Sequence, residues 1–286
     1  SSPLYLVNTN APDPTPSKIP LIIVPGIVAS LNLGILTDRG DSGWDWMYTA
    51  KSGWWQFIDS LEKAGYQKDK DYFIAFYDWR KTNDWTDADP RAALPAKKYL
   101  SETIDKAKAA NPGISKVNIV AHSMGGLVAR SYVESLHYRG DVDKAFLIGS
   151  PNSGSTFAYY TWEGGEVPPN WDPVQKAGLS VMIKMLSINF LQEPYLMIHD
   201  HIKSIKDLLP VGYNYLIKSD NPFDWLNMHE LNNFLKTTSN PQNTASIFAN
   251  KGVDLINITG TGQTTWEKLQ AEDFLHQYLW KDGKPV

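Results

Sequence analysis

Residues 116–128 read Lys116-Val117-Asn118-Ile119-Val120-Ala121-His122-Ser123-Met124-Gly125-Gly126-Leu127-Val128. Lys116 to Ala121 reads as a strand, and Met124 to Leu136 carries a helical pattern. Ser123 stands at the junction, with small residues, Ala121 and Gly125, two positions to either side. A strand that turns sharply into a helix leaves no room for larger flanks, and it lifts the serine oxygen above the C-terminal edge of a sheet. The helix beginning at Met124 then aims its N-terminus at any oxyanion forming beside Ser123. Ser123 is therefore the candidate nucleophile. The common form of this turn has glycine where Ala121 stands. A plain strand–turn–helix junction with a capping serine is the competing reading, and it does not call for both small flanks.

The same alternation extends outward. Leu21-Ile22-Ile23-Val24 is apolar on both faces, as a buried parallel strand requires, and Pro25-Gly26 stops it. Trp55, Ile58, Leu61 and Ala64 recur at three-residue steps and mark a helix ending at Gly65. Asp71 to Tyr77 reads as a strand. Pro90 opens a helix that turns Ala96, Leu100, Ile104 and Ala107 inward and closes at Asn111-Pro112-Gly113. Ala145-Phe146-Leu147-Ile148 is the next strand. After Ser155 the rhythm breaks until about residue 225, in a stretch rich in large side chains such as Tyr159, Trp162, Trp171, Met182, Phe190 and Met197. Leu231 and Phe234 then mark a short helix, and Asp254 to Thr259 a last strand. The expectation is one α/β domain over residues 1–286: a mostly parallel central sheet, helices on both faces, and a cap or lid inserted at about 155–225. The Pro-rich segment 11–16 reads as an extended lead-in.

Composition narrows the chemistry. With 27 basic and 31 acidic residues the formal net charge is −4, so there is no electrostatic footprint for nucleic acid. No cysteine is present, which removes disulfides, thiolate metal sites and a cysteine nucleophile. No apolar run is long enough to span a bilayer. The 11 tryptophans indicate large apolar or amphipathic surfaces.

Val24-Pro25-Gly26-Ile27 ends the first strand where a second oxyanion donor belongs, so the backbone N–H groups of Ile27 and Met124 are the candidate oxyanion hole. Pro25-Gly26-Ile27 with Ser30, the tetrapeptide Tyr77-Asp78-Trp79-Arg80, the Ser123 turn, Leu147-Ile148-Gly149-Ser150-Pro151-Asn152-Ser153-Gly154-Ser155 and Ile258-Thr259-Gly260-Thr261-Gly262 follow one another over residues 20–262. In this order they resemble the lecithin–cholesterol acyltransferase family of α/β-hydrolases, including lysosomal phospholipase A2 and related bacterial lipases. The Ser123 turn is common to many esterases, whereas Tyr77-Asp78-Trp79-Arg80 is more telling.

The resemblance implies hydrolysis or transfer of acyl groups on lipid esters, through an acyl-enzyme on Ser123, with no cofactor. Lipid-like acyl esters, met at a lipid interface, are the expected substrates, and an extracellular or bacterial cell-surface location is expected. A non-catalytic binding module on the same fold is the reading from another class. Asp78 and Arg80 read as a structural anchor beside the site rather than as catalytic groups. His122 reads as a packing residue, because adjacency hinders its ring from reaching Ser123. His199 and His201 flank Asp200, but with no further spaced ligands a zinc site is not expected. In the resembled family the acid and the histidine lie beyond the strand that ends here at Thr259-Gly260. The expectation is that both fall outside this chain, leaving the domain incomplete at its C-terminus. The alternative within the chain is Asp254 with His276: Asp254 opens its strand, the wrong end for the site, and His276 reads as helical among Phe274, Leu275 and Tyr278.

Overall fold

The computed structural model describes residues 18–86, 94–169, 173–262, 267–276 and 278–286. The Pro-rich segment 11–16, Pro90, Trp171 and residues 263–266 lie outside them.

The strands, in chain order, are β1 Leu21–Val24, β2 Ser30–Leu31, β3 Asp45–Trp46, β4 Tyr72–Ile74, β5 Val117–His122, β6 Val142–Ile148, β7 Leu216–Lys218, β8 Asn221–Phe223, β9 Asp254–Ile258, β10 Leu269–Glu272 and β11 Lys284–Pro285. The helices are α1 Leu33–Leu36, α2 Tyr48–Lys63, α3 Ser101–Ala110, α4 Met124–Glu134, α5 Thr156–Gly164, α6 Pro173–Phe190, α7 Pro194–His201 and α8 Pro241–Asn250. A π-helical segment, Pro95–Leu100, leads into α3.

Five strands form the central sheet in the order β4-β1-β5-β6-β9, and every neighbouring pair is parallel. From β1 the chain crosses to β4 on one side, then returns to β5 on the other. That reversal leaves a crevice above the C-terminal ends of β1 and β5, the place where open parallel sheets bind ligands. Both faces of the sheet are covered. Ile22 and Val24 face one core with Ile104, Leu127, Val128 and Phe248 from α3, α4 and α8. Leu21 and Ile23 face the other, with Trp54, Phe57, Ile58 and Leu61 from α2. This is why β1 has no polar residue: a strand buried on both sides has no solvent face to supply one.

Three sequence readings need correction. Helix α2 turns Ile58 and Leu61 inward as inferred, but Trp54 takes the place of Trp55, which is 59% exposed, and Ala64 is exposed too. Three-residue steps drift off a 3.6-residue period, whereas Trp54, Ile58 and Leu61 keep to it. The 71–77 strand pairs only over Tyr72–Ile74. His276 is not helical: residues 273–276 form a loop, and Leu275 is fully exposed.

A second, four-stranded sheet, in the order β11-β10-β7-β8, closes the C-terminal part against α5. Trp280 is buried there against Tyr159 and Tyr160, and its N–H donates to Glu163 O at 2.9 Å.

Asp207, buried in the short 3₁₀ turn Lys203–Leu208, ties that turn to the loop after β4. Its carboxylate accepts from Thr82 Oγ1 at 2.9 Å and Asn83 N at 2.5 Å. Burial, reinforced by nearby Asp84, pushes its pKa up to about 7. A carboxyl raised above its unfolded value, about 3.9, stabilises the fold fully below pH ~4 and loses that contribution as pH rises toward 7. Asp207→Asn, which keeps the acceptor oxygen, is expected to remove this slope. Urea midpoints at pH 5 and pH 8 should then differ less than in the parent, with the variant the more stable at pH 8.

Candidate active site

Ser123 occupies the sharp turn from β5 to α4, with φ 53° and ψ −128°. A residue with a Cβ seldom adopts this conformation, so the turn is held by its surroundings. Ser123 N–H donates to Ile148 O at 2.9 Å and Ser123 O accepts from Gly126 N–H at 2.9 Å. Close packing explains the two glycines that follow. A β-carbon on Gly125 would stand 2.4 Å from Val24 O and 2.5 Å from Pro25 O, and one on Gly126 would meet Ser150 Oγ at 1.9 Å. Gly26 is closely packed as well, though less severely, since a β-carbon there would lie 3.0 Å from Ser123 Cβ. The ends of β1 and β5 are thus pressed together, which brings Ile27 beside the serine. Val28 takes a left-handed φ of 58°, completing the tight turn. Neither Ile27 N–H nor Met124 N–H is taken by a protein acceptor among the described residues. Met124 is the first residue of α4, where backbone donors lack helical partners.

The Tyr77–Arg80 tetrapeptide holds this loop from below. Tyr77 Oη donates to Pro25 O at 2.8 Å, and Trp79 Nε1 to Ser30 O at 3.0 Å. Arg80, buried, donates to both oxygens of Asp78 at 3.0 and 2.9 Å and to Leu36 O and Ile35 O, each at 2.8 Å. Asp78 and Arg80 are therefore the anchor expected, fixing residues 25–38 rather than touching the cavity.

A cavity of about 430 Å³ opens over Ser123. Gly26, Ile27, Val28 and Ala29 form one side, Ala50, Gly53, Trp54 and Phe57 of α2 another, and Gly178 and Leu179 of α6 a third. The walls are largely apolar, and the volume suits a drug-sized or acyl-chain ligand. Sequence reading did not find the α2 and α6 walls. Ala50 and Gly53 are small residues on a helix face, a pattern that by itself indicates only close approach.

His122 also lines this cavity, its ring edge-on to Trp54 at 6.0 Å between centroids and 89° between planes. Its surface stays open to the cavity, yet the enclosing protein makes a charge costly there and lowers its pKa. Among the described residues nothing is hydrogen-bonded to Ser123 Oγ, and the cavity lining includes one imidazole, that of His122, and no carboxylate.

Asp254 and His276 are not brought to the site. Asp254 begins β9 opposite Lys144, whereas the Ser123 end of the sheet is marked by Ile148 opposite Ile258. Four residues of strand separate them, about 13 Å. The Asp254 carboxylate instead accepts from Lys144 Nζ at 2.7 Å, which lowers its pKa. His276 packs against Phe274 and Tyr278 on the C-terminal loop. His199 stacks between Trp162 and Tyr195, at 3.8 and 4.1 Å between centroids, and His201 stacks on Phe190 at 3.7 Å. Asp200 accepts from Gln192 Nε2 at 2.7 Å. Among the described residues no group of three His, Asp or Glu is arranged to hold a metal ion.

A parallel sheet with a strained serine at the end of its third strand in chain order of pairing, β5, and helices on both faces define the α/β-hydrolase fold. The family model described as lecithin:cholesterol acyltransferase matches residues 33–283, and the chain belongs to that family. Among solved structures it is similar to the phospholipase PlaB from Legionella pneumophila, with 13% identity, 86% of this chain and 39% of that one covered, and a TM-score of 0.39. It is similar to the Bacillus licheniformis lipase BlEst2 in its propeptide form, with 18% identity, 66% and 35% covered, and a TM-score of 0.34. A gene product of Listeria innocua shares 15% identity over 86% of this chain and 85% of its own, with a TM-score of 0.34. The chain spans 39% and 35% of the length of the first two.

Proposed function

We propose that the chain carries the nucleophile, oxyanion hole and acyl pocket of a serine-dependent carboxylic ester hydrolase acting on lipid-like esters. The observation that supports this most is Ser123 itself, held at φ 53° at the floor of an apolar cavity. In this reading Ser123 Oγ attacks the ester carbonyl, and the tetrahedral oxyanion accepts from the N–H groups of Ile27 and Met124. The intermediate expels the alcohol and leaves an acyl-enzyme on Ser123, which water then cleaves to the free acid. The base that takes the Ser123 proton is assigned to a residue outside the cavity lining described, because His122 makes no hydrogen bond to Ser123 Oγ. Hydrolysis and transfer share every step up to the acyl-enzyme, and product analysis with added alcohol separates them.

The acyl chain is assigned to the channel between α2 and α6. Helix α6 stands in the 155–225 segment, and we assign it the role of lid. Val181, Ile188 and Leu191 on and just after it are 64%, 65% and 91% exposed, and Tyr48 and Trp55 of α2 are exposed too. Such apolar surface suits a lid that meets a lipid interface. Gly53 provides the test, since a β-carbon there would meet nothing within 4 Å. Gly53→Trp is expected to fill the channel, lowering kcat/KM for p-nitrophenyl esters of long acyl chains about a hundredfold while that for the acetate changes little. Equal losses at every chain length would remove the acyl chain from this channel.

A further inference from the structure

A second concavity, an open groove of about 790 Å³, lies along α6 and the turn into α7. The two hollows use different parts of α6: Gly178 and Leu179 line the Ser123 cavity, whereas Ser180, Ile183, Lys184 and Ser187 line the groove. The apolar part of its lining is Val167 and buried Ile183 together with exposed Ile188 and Leu191. Two cations share that lining. Lys176 Nζ makes one hydrogen bond, to Pro169 O at 3.0 Å, and Lys184 is exposed with no ion-pair partner among the described residues. The one acid of the lining, Glu166, faces Lys284 Nζ at 3.9 Å, so the lysines are the unbalanced charge. Within the wall, Ser187 Oγ is buried without a hydrogen-bond partner.

We propose that this groove is a second binding site, for a single-chain anionic amphiphile, specifically a monomeric fatty acid. Its hydrocarbon lies on Val167, Ile183 and Ile188, and its carboxylate pairs with Lys184, while Lys176, about 12 Å back along α6, adds to the positive potential. An apolar floor alone would suit any oily partner, but uncompensated lysines beside it select a negative head group, and a groove lined along one helix suits one chain rather than two. The site does not depend on ester turnover, so its test stands apart from that of the proposed reaction.

The test is titration of a dansyl-labelled medium-chain fatty acid into the Ser123→Ala chain, below its micelle concentration. Saturable one-site binding is expected. Lys184→Glu should weaken it about tenfold or more, and Ile188→Asp should weaken it similarly. Both positions are exposed, so circular dichroism should show the fold unchanged. Gly53→Trp, which fills the other cavity, should leave the affinity as it was. The uncharged methyl ester should bind more weakly and be indifferent to Lys184→Glu. Binding lost in Gly53→Trp but kept in Lys184→Glu would place the fatty acid over Ser123 and overturn the proposal. So would the absence of monomer binding alongside binding to anionic phosphatidylglycerol vesicles, which would make the lysines a membrane contact.

Discussion

The Ser123→Ala chain is expected to keep its fold and to lose covalent labelling by a fluorophosphonate probe, by at least about a thousandfold against the parent. The side chain of Ser123 makes no hydrogen bond within the described residues, so its removal costs no buried partner. Alanine also inherits the same φ of 53°, so the strain of the turn does not change. Glycine at the same position separates strain from chemistry. Ser123→Gly removes the Cβ that makes φ 53° costly, and it should be more stable than Ser123→Ala by about 1–2 kcal/mol while equally unlabelled. Thermal melts beside labelling gels read both effects. Undiminished labelling of Ser123→Ala would move the nucleophile elsewhere. Equal melting of the alanine and glycine variants would mean that the turn carries no strain.

How far such a site is visible before folding depends on the residue. The apolar run Leu21-Ile22-Ile23-Val24 has one structural reading, because a strand without a polar position must be covered on both faces, and β1 is. Ser123 and its small flanks are legible too, since the strand-to-helix turn has a local sequence pattern, although the atoms that keep Gly125 small, Val24 O and Pro25 O, are distant in sequence. The walls of the cavity were not. Trp54 and Phe57 reach it only because α2 packs on the sheet at one rotation, which the three-residue spacing placed correctly at Ile58 and Leu61 but not at Trp54. Gly178 and Leu179 reach it because α6 crosses α2 with Gly178 against Thr49, a contact between segments over a hundred residues apart. The second sheet was missed for a different reason. β8 reads Asn221-Pro222-Phe223, too short and too polar for a period-two signal, and its proline is tolerated only because it lies at a sheet edge. The Asp78–Arg80 pair was read correctly as an anchor, but its partners Ile35 O and Leu36 O are backbone atoms of a distant helix. No side-chain pattern announces them.

Gly125→Val is expected to have the largest structural effect of any single change at the site. Even the first carbon of a side chain would lie 2.4 Å from Val24 O and 2.5 Å from Pro25 O, well inside contact distance. Both oxygens belong to the end of β1 and the loop carrying Ile27, and neither can give way as the tip of a flexible side chain could. Val24 is held by β5 through the central ladder, and Pro25 O already accepts from buried Tyr77 Oη. The helix must therefore lift from the strand, at a cost of about 3 kcal/mol, the upper end for overpacking, because there is no room to relax. That movement separates Met124 N–H from Ile27 N–H, so labelling of Ser123 should fall even though the serine remains. Gly53→Ala is the control, because open space surrounds that position and alanine favours the helix by about 1 kcal/mol. It should melt at or above the parent temperature. If Gly125→Val melts with the parent and labels as well, α4 does not need to press against β1, and the oxyanion pair assigned to Ile27 and Met124 loses its structural basis.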